Sequence, residues 1–291
     1  MHGSVEIILD NAPARSAELL AQNRVDAALV PVIAYQMLPD VRLVPGVCVG
    51  AKQKVHSVAL ITRGMDLADV RTVSLDTSSK TSVVLSKILF REFLGFDPEW
   101  RDAPPDLKAM LDASDCALLI GDPALSIADR GPRTADLSSS SNEAESSDVL
   151  LGPDAGSRSP IRNRRSAIDE STFRKFDLAE LWRQHTGLGF IFAMWMTRAE
   201  TSPLDFEGAR EEGTSRIDEI VSNYLPDIKI GEEDFRAYLS KNISYTVDEE
   251  LERGMKLYFD LAKKHRLCEK IRELEYTKRT EIYRDPGLKQ S

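Results

Sequence analysis

A run of hydroxyl residues between a strand-like and a helix-like segment constrains this chain most. Residues 70–75 have the composition of a strand, residues 76–82 read Asp-Thr-Ser-Ser-Lys-Thr-Ser, and apolar residues then recur at helical spacing over residues 84–93. A strand that turns into a helix directs several backbone N–H groups at one point, where the helix end adds partial positive charge. The run therefore predicts a site for a small anion, such as a carboxylate, at residues 77–82. A simple Ser/Thr N-cap is the alternative interpretation.

The other segments predict an α/β protein with a mostly parallel sheet, because strands alternate with helices. The 291 residues exceed what one compact core usually holds, so two domains or lobes are expected. The predicted strands are residues 5–9, 27–33, 41–49, 55–62, 116–120 and 190–195. The predicted helices are residues 13–23, 107–113 and 176–182, and a C-terminal helix that begins at a capping box of Thr246 and Glu249 and has an apolar face of Leu251, Met255, Tyr258 and Ala262.

Composition argues against several classes of function. The net charge is −9 and no basic stripe with interleaved aromatic residues occurs, which argues against nucleic-acid binding. No apolar run reaches the roughly 20 residues of a membrane span. Residues 1–6 lack a basic start and an apolar signal core, so we expect a cytoplasmic location. Cys48, Cys116 and Cys268 are far apart and are expected to be buried free thiols.

Neither a cofactor nor a metal is expected, because the chain has no GxGxxG, P-loop, HExxH or GxSxG motif.

One segment departs from globular composition. Residues 130–172, approximately, are rich in Ser, Asp, Gly and Arg and contain few large apolar residues. Such a segment does not bury enough apolar surface to order itself, so we predict a disordered insertion within a folded domain.

Two isolated residues are candidates for chemistry. Asp122 ends a predicted buried strand, and ligands of open α/β sheets collect beyond the carboxyl ends of strands. It is a candidate substrate-orienting group or base, with a helix cap as the alternative. Ser57 begins a strand, and its alternative interpretation is a half-exposed strand serine. A direct pair of His56 with Ser57 is not expected, because neighbouring side chains on a strand point to opposite faces.

Four separated blocks, in this order, resemble the chorismate dehydratases of menaquinone biosynthesis. They are Asp-Thr-Ser-Ser-Lys-Thr-Ser at 76–82, Pro-Pro-Asp-Leu at 104–107, Ala-Leu-Leu-Ile-Gly-Asp at 117–122, and the segment from Trp182 through Thr186-Gly187-Leu188 to the apolar run at 190–195. The resemblance extends from about residue 5 to about residue 265 and is interrupted by the predicted insertion.

The resemblance implies a two-lobe fold like that of a type II periplasmic binding protein, with the substrate between the lobes. The first lobe would comprise residues 1–63 and 196–291, and the second lobe residues 64–195. Members of the family normally begin with a further strand and a loop carrying a Leu-Asn pair. Because residues 5–9 match the family's second strand, we expect the N-terminal strand and helix of the first lobe to be missing.

The implied reaction is the dehydration of chorismate to 3-[(1-carboxyvinyl)oxy]benzoate, without a cofactor. The resemblance assigns a catalytic or orienting role to Ser57, and Asp122, placed after a buried strand, is the second catalytic candidate. The resemblance assigns substrate binding to Thr77, Ser78, Ser79, Thr81, Ser82 and Gly121.

Two alternative functions remain open at this point. One is the 1,4-dihydroxy-6-naphthoate synthase of the same pathway, although here no histidine follows the loop until His185. The other is a non-catalytic protein that binds a small anionic solute.

Overall fold

The computed structural model describes residues 5–9, 13–127, 173–202 and 204–278. The predicted insertion at residues 130–172 lies outside these ranges. The strands are β1 (Ala27–Pro31), β2 (Arg42–Ala51), β3 (Val58–Arg63), β4 (Thr72–Asp76), β5 (Glu99–Ala103), β6 (Cys116–Ile120), β7 (Phe173–Asp177) and β8 (Phe190–Thr197). The helices are α1 (Pro13–Ala21), α2 (Ala34–Met37), α3 (Lys80–Ile88), α4 (Leu107–Ala113), α5 (Gly121–Leu125), α6 (Leu178–Thr186), α7 (Phe206–Ser215), α8 (Ile217–Tyr224), α9 (Glu232–Ala237) and α10 (Glu249–Lys264).

Two β-sheets organise the described residues, and they confirm the α/β prediction. One sheet has three strands in the order β1-β8-β2, and the other has five in the order β5-β4-β6-β3-β7. The expectation of mostly parallel pairing was wrong, because four of the six strand pairings are antiparallel. Between the strands of the five-stranded sheet, the parallel pairs are those of β4 with β5 and with β6, which helical crossovers join. β3 arrives directly from the other sheet and runs in the opposite direction.

The chain passes between the two sheets earlier than expected. β3 lies within the residues assigned to the first lobe, yet it pairs with β6 and β7 of the five-stranded sheet. β8 was assigned mainly to the second lobe and pairs instead with β1 and β2. The crossings therefore lie in residues 52–57 and 187–189, not near residues 63 and 196. Apolar strands flank both crossings, and composition does not reveal which sheet each strand joins.

Three local predictions also differ from the structure. Residues 5–9 belong to no strand, and their apolar side chains are exposed, from 54 % for Ile8 to 86 % for Leu9. An apolar run forms a strand only where a partner edge is available. Residues 176–177 end β7, and the helix begins after them at α6, because the Asp177 side chain caps it. Asp248, not Thr246, caps α10.

The helix α10 packs its predicted apolar face into the core between the two sheets. Leu251, Met255, Tyr258 and Ala262 are all buried, which confirms the predicted face. Tyr258 makes an edge contact with the ring of Trp182, at 6.4 Å between centroids, and Trp182 is fully buried. This contact joins α10 to α6.

Cys48 and Cys116 are buried, Cys268 is half-buried, and all three are free thiols. No helix in the described ranges is both long and apolar enough to cross a membrane.

Candidate active site

One edge of the five-stranded sheet collects the site residues proposed from the sequence. The parallel strands β4 and β6 both end there. β3 begins there, because it runs antiparallel to β6 and pairs Val58 with Ile120. Ser57, Asp122 and the loop at 77–82 therefore share this edge. Ligands of α/β sheets commonly bind beyond the carboxyl ends of parallel strands.

Groups from the rest of the molecule close over the hydroxyl loop. The backbone N–H of Ile33, which lies just after β1, donates a hydrogen bond of 3.3 Å to Thr81 Oγ1. The Tyr258 hydroxyl, on α10, donates to the carbonyl oxygen of Thr81 at 3.1 Å. Thr81 is fully buried. The helical end of the loop therefore lies where the two sheets meet and not toward bulk solvent.

Four of the five loop hydroxyls are already engaged within the protein. Ser79 caps α3, accepts a hydrogen bond from the Ser82 N–H, and lies 2.9 Å from the Ser82 hydroxyl oxygen. Ser78 donates both its N–H and its hydroxyl hydrogen to Asp76 Oδ1, at 3.0 and 2.6 Å. The capping alternative is thus correct for Ser79. Thr77 is exposed, so its hydroxyl is the one in this loop with access to a ligand, whereas the Ser82 N–H in the first turn of α3 is already bound by Ser79.

Ser57 is held by a residue that carries no recognisable signal in the sequence. The Tyr238 hydroxyl donates a hydrogen bond of 3.1 Å to Ser57 Oγ, across 181 positions of sequence. Ser57 is only 7 % exposed, so it is not a half-exposed strand serine. Burial raises the pKa of Tyr238, the hydrogen bond with Ser57 opposes that shift, and the negative charge of Asp122 adds to it. The phenol of Tyr238 therefore keeps its proton at neutral pH, as its donation to Ser57 Oγ requires.

Asp122 lies beside this pair and does not cap the following helix. Gly121 N–H donates to the Ser57 carbonyl oxygen at 2.7 Å, and Gly121 has a φ of +66°, which favours glycine. The N-cap position of α5 is Ile120, without a side-chain hydrogen bond. The capping interpretation of Asp122 is therefore wrong. Its side chain is exposed and directly follows Gly121, whose N–H binds the Ser57 backbone, so Asp122 lies at the same end of the sheet as Ser57.

The turn before Ser57 is held by the buried carboxylate of Asp177, another residue that the sequence did not single out. Asp177 Oδ2 accepts hydrogen bonds from the N–H groups of Val55 and His56, at 3.0 and 2.6 Å. Its other oxygen, Oδ1, accepts from Ala179 and Glu180, at 2.9 and 3.0 Å. Burial raises the pKa of Asp177, and these amide donors oppose that shift. The carboxylate thereby joins the crossing segment, residues 52–57, to the start of α6.

His56 contributes its backbone to this turn. Its φ of +61° lies in the left-handed region, so the turn is not part of β3. The geometry therefore differs from the strand that the sequence predicted to begin at residue 55. The position of Ser57 depends on this strained turn and on Asp177, which stabilises it.

Comparisons with known proteins identify the family. A model of a menaquinone-biosynthesis family matches residues 3–172 and 167–264. The chorismate dehydratase of Thermus thermophilus is 30 % identical over 219 residues, which cover 73 % of this chain and 71 % of that protein. The family resemblance inferred from the sequence is thus confirmed.

Solved structures agree on the fold. Protein AF1704 from Archaeoglobus fulgidus has a TM-score of 0.56 at 16 % identity, covering 90 % of this chain and 86 % of that chain. The periplasmic aliphatic sulphonate binding protein SsuA from Escherichia coli has a TM-score of 0.52 at 13 % identity, covering 96 % and 86 %. At these identities the likeness shows the fold alone, which is the predicted two-lobe fold of periplasmic binding proteins. The extent of the family match shows that the chain belongs to the menaquinone-biosynthesis family.

Proposed function

We propose that this chain is a carbon–oxygen lyase that dehydrates chorismate to 3-[(1-carboxyvinyl)oxy]benzoate in menaquinone biosynthesis. The observation that carries the proposal is the 30 % identity to a chorismate dehydratase over 73 % of the chain, within a matching family model. A cytoplasmic location remains part of the proposal. The naphthoate-synthase alternative is left without a supporting observation.

The sheet edge offers suitable groups for a substrate that carries two carboxylates. The exposed Thr77 lies three residues before α3, whose positive N-terminal end favours an anion. Ser78, Ser79, Thr81 and Ser82 support this loop through their internal hydrogen bonds. In the proposal, Thr77 and the backbone of α3 hold one carboxylate, and the other four hydroxyls keep the loop in shape.

The proposed reaction breaks a ring C–O bond and removes a ring proton, so that the hydroxyl departs as water. Two electrons of the broken C–H bond complete the aromatic ring, and the overall oxidation state does not change. Ser57 would donate a hydrogen bond to a substrate oxygen, and the Asp122 carboxylate would orient the substrate or accept the proton. Gly121 would contact the substrate through its backbone. Holding the leaving group and proton acceptor in place is the main catalytic contribution expected of such a site.

We expect the purified protein to convert chorismate into a new aromatic product, detected by ultraviolet absorbance and identified by mass spectrometry. The product should be lighter than chorismate by one water, because dehydration is the only net change. Calorimetric titration with chorismate provides the discriminating control. Tight binding of chorismate without any turnover would instead favour the non-catalytic binding protein.

Replacing Ser57 by alanine should lower the turnover number by roughly tenfold or more, because a positioned donor near the reacting atoms is lost. The fold should remain intact, since the change removes one oxygen atom. Ser222→Ala is a matched control, because Ser222 is an exposed helical serine whose hydroxyl donates only to the carbonyl of Asp218. If Ser57→Ala and Ser222→Ala turn over equally fast, Ser57 has no role in the site.

A further inference from the structure

We infer that Tyr238, from the C-terminal helices, is a positioning residue that aims the Ser57 hydroxyl at the substrate. The assignment rests on the proposed function and adds to it a residue from the opposite side of the site. Tyr238 lies in the π-helical turn Tyr238–Asn242 that continues α9, and Ser57 precedes β3. Such turns interrupt helices at functional sites more often than elsewhere.

The direction of the hydrogen bond determines what Ser57 can do. A serine hydroxyl has one hydrogen to donate and two lone pairs that accept. Because Tyr238 donates to Ser57 Oγ, the single hydrogen of Ser57 is left for another acceptor. A hydroxyl that accepts one hydrogen bond is also polarised into a stronger donor. Tyr238 thereby turns Ser57 into a directed donor for a substrate oxygen.

Tyr238 is held in place by the three-stranded sheet. The chain after its turn pairs with β2, where the N–H of Ser244 donates to Gly50 O at 2.8 Å and the N–H of Gly50 donates to Ser244 O at 2.9 Å. The next residue, Tyr245, accepts a hydrogen bond of 3.0 Å from the Cys48 N–H. The phenol thus reaches Ser57 from a segment anchored in one lobe, while Ser57 lies at the sheet edge of the other. The contact couples the orientation of Ser57 to the relative placement of the lobes.

Tyrosine and not phenylalanine is needed for this role, whereas packing alone would accept either. Tyr238 is half-buried, and burial raises the pKa of its phenol although the hydrogen bond with Ser57 opposes the shift, so the phenol stays protonated. A double-mutant cycle separates the two roles, because a residue that acts through Ser57 loses its effect once the Ser57 hydroxyl is absent.

The experiment compares wild-type protein, Ser57→Ala, Tyr238→Phe and the double variant, with chorismate as the probe. We expect Tyr238→Phe to lower kcat about fivefold, as expected for the loss of one hydrogen bond, and to change KM by less than about twofold. In the Ser57→Ala background the same change should alter kcat by less than about twofold. Tyr224→Phe, at an exposed tyrosine on α8, is the matched control and should behave as wild type.

The outcomes separate this inference from the proposed function. If wild-type protein does not convert chorismate, the proposed function fails, and the role of Tyr238 in that reaction fails with it. If wild-type protein is active but the two rate losses multiply in the double variant, only the assignment of Tyr238 is overturned. An unchanged kcat in Tyr238→Phe overturns it as well. Urea unfolding of all four proteins confirms that each is folded and reports, without substrate, whether the hydroxyl pair also couples in stability.

Discussion

Replacing Asp177 by alanine is expected to lower the free energy of unfolding by about 4 kcal/mol, because four backbone N–H groups lose their acceptor at once. Two of these belong to Val55 and His56 on the crossing segment, and two belong to the first turn of α6. Asp177 is 4 % exposed, so water does not replace the lost acceptor easily. The loss is measured as a reduced midpoint of urea unfolding with an unchanged slope.

Two further variants make this prediction specific. Asp177→Asn keeps one carbonyl oxygen, which can satisfy only one of the two pairs of N–H groups, while its NH2 group opposes the other pair. We expect it to be intermediate in stability. Asp106→Ala removes an exposed N-cap on α4 that accepts one N–H bond, from Ala109 at 3.0 Å, and should cost about 1 kcal/mol. Equal losses in Asp177→Ala and Asp106→Ala would contradict a structural role beyond ordinary capping.

Turnover gives a second readout for the same residue. Asp177 holds the turn that ends at Ser57, so its removal should reduce kcat under conditions in which the variant is still folded. A displacement of about 1 Å in a catalytic group can cost a large factor in rate. The stability of the crossing segment and the geometry of the proposed site thus depend on one buried carboxylate.

The elements that the sequence predicted well are those whose signals are local. The helix at 107–113 and the strand at 116–120 have the predicted bounds, because turn residues flank each short apolar segment. The apolar face of α10 was likewise visible as a spacing of three and four residues. Strand direction and sheet membership were not predictable in this way. β3 reads as an ordinary apolar strand, whichever sheet it joins.

The difference between local signals and long-range contacts also explains which site residues were predictable. The loop at 77–82 was recognisable from its hydroxyl content, Asp122 from its position at the end of a buried strand, and Ser57 from the family resemblance. The hydrogen bond from the Ser78 hydroxyl to the buried Asp76 carboxylate was not recognisable, because it depends on how the side chains are oriented within the loop. Tyr238 and Asp177 act on Ser57 and its turn from distant parts of the chain. Neither has a local pattern that distinguishes it from other tyrosines or helix caps.

Gly254 of α10 lies close against the backbone of Gly189, the residue just before β8. A Cβ atom added to Gly254 would lie 2.1 Å from the carbonyl oxygen of Gly189, well inside van der Waals contact. The obstacle is backbone, so no side-chain rotation relieves it. The same carbonyl accepts a hydrogen bond of 3.2 Å from Trp182 Nε1. Any shift that makes room for the methyl group therefore also disturbs the buried indole.

We expect Gly254→Ala to destabilise the protein by about 3 kcal/mol, the upper part of the range for overpacking a core. The matched control is Gly213→Ala on α7, where an added Cβ meets nothing within 4 Å. That change should be neutral or stabilising by up to about 1 kcal/mol, because alanine favours the helix. Thermal unfolding of the two variants beside wild type is the measurement, and equal melting temperatures would refute the tight contact. Because α10 also carries Tyr258, which donates to Thr81 O, displacing the helix should slow turnover through the hydroxyl loop as well.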